Sequence, residues 1–141
     1  MQITTRWLLS LAVFALALSS SRAWAGEEMK LQKQKREAPE IMASMKLHIQ
    51  TIKDGLDMSD EGQMSGVVYR EAQALGDDAH ELSTLPPPQG VKDQKAFRDA
   101  LKELERHAQS LSAAADTSDD VRSQADKVFK DWEAFQKASG S

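Results

Sequence analysis

The sequence contains no cysteine. That excludes disulfides, thiolate metal centres, a cysteine nucleophile and covalent c-type haem attachment, which requires Cys-x-x-Cys-His. Aromatic residues make up only 6% of the 141 residues and β-branched residues are scattered, a poor supply for strands. Positive charge does not dominate either, since 18 lysines and arginines stand against 22 aspartates and glutamates. The field that attracts nucleic-acid phosphate is therefore missing, and no nucleic-acid partner is expected. Alanine, leucine, lysine, glutamate, aspartate and glutamine are plentiful, a composition that favours helix over sheet. The length suits one modest domain. These features together predict an all-α protein.

Long apolar runs are also scarce. The one prominent run, Trp7 to Leu18, follows a positive region ending at Arg6 and precedes Ser19-Ser20-Ser21-Arg22-Ala23-Trp24-Ala25. This is the layout of a secretory signal peptide with a small-x-small cleavage site, so residues 1–25 are expected to be removed after Ala25. Twelve residues fall well short of the roughly 20 that span a bilayer. The remaining chain would carry 16 basic and 22 acidic side chains, a formal charge of −6. No cysteine follows to take a lipid, and no later segment could span a membrane, so a soluble periplasmic product is expected. Residues 26–36, which include Lys30, Lys33, Lys35 and Arg36, read as a charged, solvated arm whose field Glu27, Glu28 and Glu37 dilute.

Four stripes then recur in steps of four and three, the signature of helices with one buried face. The first is Ala38, Met42, Met45, Ile49, Ile52 and Leu56. The second is Met64, Val68, Ala72, Leu75, Ala79 and Leu82, with Ser59 as the expected N-cap ahead of Asp60-Glu61. Pro86-Pro87-Pro88-Gln89-Gly90 breaks the pattern, because proline lacks the amide donor and clashes with a continuing helix. The third stripe is Phe97, Leu101, Leu104, Ala108, Leu111 and Ala115, capped by Asp93. The cap formers Asp116-Thr117-Ser118-Asp119-Asp120 lead to Val121, Ala125, Val128, Trp132 and Phe135, after which the chain is expected to fray. Four such helices predict an antiparallel four-helix bundle over residues 37–138. Gly62, Gly66 and Gly76 make the second helix the least rigid.

Chemistry-bearing residues are few. His48, His80 and His107 each sit one position off a core stripe. A copper or zinc site would need three helices to aim these rings at one point, and no His-x-x-x-His or Glu-x-x-His pair favours it over ordinary boundary histidines. Copper(I) would add Met42, Met45 and Met64, but all three lie on core stripes, where methionine fills gaps. No nucleophile elbow or phosphate loop is present, and Asp77-Asp78 and Asp119-Asp120 read as solvated helix ends or turns. A noncatalytic protein is expected.

The last helix carries Val128-Phe129-Lys130-Asp131-Trp132 followed by Glu133-Ala134-Phe135. With Arg36, the Met42–Ile52 segment and the third stripe, this exported bundle resembles the cytochrome c-prime family of periplasmic haem proteins. In that family the last helix carries the haem-attachment motif. Here Val128 and Asp131 stand where its two cysteines would be, Trp132 stands where its axial histidine would be, and Gln136 occupies a position that is often arginine. The resemblance implies a bundle in which Trp132 and a phenylalanine fill the space of the lost macrocycle, acting as a binding or interaction module for a periplasmic protein or small ligand, with no cofactor expected. It leaves open a noncovalent haem b held by Met42 or Met45 with His107, for electron transfer or gas binding. It also allows a homodimer through the first two helices, with Ala43, Leu47 and Val67 as an apolar patch.

Overall fold

The computed structural model describes residues 36–140. The leader read at 1–25 and the arm from 26 to 35 lie outside the described residues. Four helices follow one another: α1 Ala38–Leu56, α2 Glu61–Ser83, α3 Gln94–Thr117 and α4 Val121–Ser139. No strand occurs among the described residues, and none of these helices is long and apolar enough to cross a membrane.

Each helix begins where local chemistry lets it. At the start of α1, Pro39 occupies the first turn, where a missing amide hydrogen costs nothing, and the Glu37 N–H donates to Glu40 Oε2 at 3.2 Å. The N-cap of α2 is Asp60 rather than Ser59: its carboxylate accepts from the Gln63 N–H at 2.9 Å. Both residues are good caps, and the choice is settled by which one sits three positions before an orphan amide. Asp93 caps α3 as expected, accepting from Ala96 N–H at 3.0 Å. The proline run ends in a turn closed by Val91 N–H on the Pro88 carbonyl, and Gly90 takes its φ of +95°, a value that favours glycine. Between α3 and α4, Ser118 and Asp120 both adopt left-handed backbone, a tight reversal for two non-glycine residues. Instead of fraying at Ala138, α4 runs to Ser139 and stops at Gly140, φ +80°.

The buried faces are those the stripes select, with one shift. All six residues of the third stripe and all five of the fourth are buried, as are Val68, Ala72, Leu75, Ala79 and Leu82 of α2. On α1 the innermost residues are Ile41, Met45, Ile49 and Ile52, while Ala38 and Met42 only flank the core. Ile41 and Met45 are four apart, so the same face continues backward without Met42. One cluster unites buried residues from all four helices. Burying each leucine- or isoleucine-sized side chain stabilises the fold by roughly 1.5–3 kcal/mol before conformational entropy is subtracted.

Packing is extensive between α1 and α2, α2 and α3, and α3 and α4, and sparse between α1 and α4. Along the first seam Arg36 meets Asp78 and Glu81, His48 meets Glu71, and the Gly55 backbone approaches Val67 so closely that an added Cβ would lie 3.0 Å from a valine methyl. Along the second, Ser65 meets Ser118, Gly76 faces Ala108, and His80 meets Glu105. Along the third, His107 meets Asp131 and Phe97 meets Phe135. Where α1 and α4 come together, the Lys53 ammonium sits 5.3 Å from the centre of the Phe129 ring and Arg122 donates to the Leu56 carbonyl at 2.9 Å.

Gly66 is exposed inside α2, and an added Cβ would meet nothing within 4 Å. Gly66→Ala is therefore expected to stabilise the protein by up to about 1 kcal/mol, through helix propensity and a less flexible unfolded chain. Urea unfolding of both forms checks this, and an unchanged or lowered midpoint would contradict it.

Candidate functional site

The most concentrated polar chemistry lies on the α1–α2 seam. Asp78 is the feature that sets it apart. The residue interrupts the apolar stripe of α2 between Leu75 and Ala79 and is only 5% exposed. Burying a carboxylate is costly unless partners replace its water. Arg36 supplies the main one, donating at 2.6 Å to Asp78 Oδ1 and at 2.5 Å to Glu81 Oε2. The two carboxylates, Glu81 foremost and Asp78 next, hold the Arg36 guanidinium protonated well above its ordinary range. Arg36, read from sequence as the end of a solvated arm, is thus bonded to α2, because two carboxylates one turn apart form a better environment for it than water alone.

His48 lies one turn after Ser44 on the same side of α1. Its Nδ1 is 2.6 Å from Glu71 Oε2, and its Nε2 is 3.2 Å from Ser44 Oγ and 3.3 Å from Asp78 Oδ2. The last contact lacks hydrogen-bond alignment, and Asp78 Oδ2 is buried with no hydrogen-bond partner. Ser44, His48 and Glu71 reproduce the order of nucleophile, base and orienting acid. They lack what acyl transfer requires next. Ser44 is in the middle of α1, where backbone N–H groups serve the helix ladder, so none is free to stabilise an oxyanion beside its hydroxyl.

The other two histidines follow the same rule on other seams. His80 Nδ1 lies 3.1 Å from Glu105 on α3, and His107 Nδ1 is bonded to Asp131 on α4. The structure does not bring the three rings together. Each faces a carboxylate of the next helix, and among the described residues no three histidine, aspartate or glutamate side chains are grouped to hold a metal ion. The three histidines considered for a copper or zinc site thus lie on three separate seams. His107 is further committed by Arg106, whose guanidinium can only donate and lies 3.0 Å from His107 Nε2. Nε2 must accept there, so Nδ1 carries the proton shared with Asp131. Arg106 also bonds Glu103 and holds that exposed carboxyl below its ordinary range.

The haem alternative meets the same packing. Met45 has no exposure and Met42 packs beside the core, while the lone pair that His107 would offer to iron is taken by Arg106. Trp132 is 8% exposed and stacks on Phe135 with ring centres 5.4 Å apart at 30°. Phe135 in turn meets Phe97 at 5.4 Å and 44°. Met64 also packs beside the core. Outside the core, a groove of about 830 Å³ runs between α3 and α4, with Ala96, Ala100, Ala134 and Ala138 along its walls and Glu103 and Asp131 among its polar lining. Leu47 stands 66% exposed on α1.

Sequence reasoning missed Ser44, Glu71, Asp78 and Glu81. Asp78 did leave a trace, being a charged residue three positions after Leu75 and four before Leu82, inside the buried stripe. Comparison with known protein families, with curated proteins and with solved structures found no match to this chain.

Proposed function

We propose that the chain is an exported, noncatalytic protein whose described part is an antiparallel four-helix bundle of cytochrome c-prime-like architecture, and that it works in the periplasm as a binding or interaction module without covalent haem. The antiparallel reading is supported by the seam pairs: 36 with 81, 48 with 71 and 55 with 67 on the first, and 65 with 118, 76 with 108 and 80 with 105 on the second. As numbers rise on one helix they fall on the next. Export rests on the leader-like residues 1–25. The observation that carries the functional reading is the aromatic layer Trp132–Phe135–Phe97, which occupies the core where the resembled family would place an axial ligand and its macrocycle.

Titration of the purified protein with haemin, followed by visible absorption, tests this reading. No stoichiometric Soret band is expected, while the far-ultraviolet circular dichroism remains helical. A sharp Soret band saturating at one equivalent would overturn it in favour of a haem protein, and its loss in His107→Ala would identify the iron ligand.

A further inference from the structure

We propose that the groove between α2 and α3 is a binding site for a linear polyamine. The inference rests on the surface of the bundle and not on its aromatic core, so the haemin titration does not bear on it. The groove encloses about 420 Å³, within the range of small-ligand sites, and Gly76 and Ala113 in its lining add little bulk. Its chemistry is of one sign. Asp77 and Asp116 contribute carboxylates, Gln73 and Gln109 contribute carboxamides, and no basic side chain takes part.

Exposed aspartates on helices are ordinary and by themselves indicate nothing. Ser112 is the independent observation. It lines the same groove although only 8% exposed, and its hydroxyl has no hydrogen-bond partner among the described residues. A hydroxyl so nearly buried normally bonds within its helix or across the seam. Ser65 on this same seam does so, meeting Ser118 Oγ at 3.1 Å. The Ser112 hydroxyl is left for an occupant of the groove. Asp77 and Asp116 are likewise without an ion pair among the described residues, whereas Glu105 and Glu103 nearby are taken by His80 and Arg106.

The seam pairs order these groups along the groove. A Cβ added to Gly76 would lie 3.8 Å from Gln109 Cγ, so Asp77 and Gln109 share one end. The contact of Ser65 with Ser118 sets Tyr69 and Asp116 at the other, with Gln73 and Ser112 between. The two carboxylates are roughly nine residues of helix apart, about 13 Å at 1.5 Å per residue. One metal ion cannot touch both. A chain with an ammonium at each end and a secondary ammonium inside can, donating to the two carboxylates and to the Ser112 and Gln73 oxygens. At the Asp116 end the Tyr69 ring adds a second attraction for an ammonium. The methylene segments of such a chain would lie over Gly76 and Ala113.

The test titrates the ¹⁵N-labelled protein with spermidine at low ionic strength and follows the backbone amides by NMR. The Gly76, Ser112 and Ala113 amides are expected to shift and saturate at one equivalent, and magnesium chloride at the same concentration should leave them unmoved. Butylamine, which carries one charge, should bind at least about tenfold more weakly, because a second ammonium on the same chain binds intramolecularly. Asp77→Asn and Asp116→Asn should each weaken binding about fivefold, the upper range for a solvated ion pair. Both residues are exposed, so neither substitution threatens the fold. The absence of a saturable shift at these amides would overturn the proposal. So would shifts reproduced by magnesium, equal binding of butylamine, or an affinity indifferent to both aspartate substitutions.

Discussion

Replacing Trp132 by alanine is expected to cost about 3–5 kcal/mol, the range for deleting a large buried aromatic side chain. The indole is 8% exposed and stacked on Phe135, which itself packs on Phe97, so its removal opens a void bounded by two rings that cannot both move in. Near the melting point of a domain of this size, 1 kcal/mol moves Tm by about 4–8 °C. A fall of roughly 15 °C or more in thermal circular dichroism is therefore expected, with Trp132→Phe losing much less. A Tm within a few degrees of the parent would show that the indole does not fill this part of the core. The same measurement bears on the functional reading, because a side chain that merely covered an otherwise empty space would be cheap to remove.

The second large effect is expected at Arg36. Arg36→Met keeps the aliphatic stem but leaves the buried Asp78 carboxylate without its cation. Breaking one side of a fully buried pair costs about 3–5 kcal/mol. The Arg36 side chain is 38% exposed, so water screens part of the interaction and the expected loss is nearer 1–2 kcal/mol. The sign with pH is fixed by the raised guanidinium value. This contribution is fully present below the ordinary arginine range and is lost only as pH rises through the raised value, so the loss in Arg36→Met should be the same at pH 7 and pH 9. Chemical denaturation of Arg36→Met, Asp78→Leu and the double variant provides the check. The double variant should recover much of the loss, since no buried charge then stands alone. Additive losses would mean that Arg36 and Asp78 stabilise the fold independently.

The stripes made most of the helical core legible because burial in a helix is a local, periodic property. Phe97 through Ala115 and Val121 through Phe135 could be chosen from spacing alone, and every one is buried. Where two neighbouring residues could serve one role, spacing was not decisive. Ile41 displaced Met42 from the innermost position, and Asp60 displaced Ser59 as the cap, since either alternative satisfies the local pattern. The polar network was hardly legible. His48 owes its surroundings to Glu71 and Asp78, more than twenty residues away, and their meeting depends on how α1 and α2 are rotated against each other. Periodicity does not encode that rotation. Asp78 was misread as solvated alongside its neighbour Asp77, which is exposed within α2, and only the phase of the α2 stripe separates the two.

The sparse α1–α4 edge has a consequence for how the chain reaches this shape. The extensive seams all join helices that are consecutive in sequence, and the links between them are short. Such contacts close small loops and incur little of the entropy that slows non-local pairing. Each neighbouring pair can therefore form as a hairpin on its own, and α2–α3, the middle pair, offers both outer helices a surface to dock on. What remains for last is the meeting of the first and fourth helices, through Lys53 on Phe129 and Arg122 on the Leu56 carbonyl. The fold thus places its longest-range contacts where they are fewest, an order of assembly suited to rapid folding.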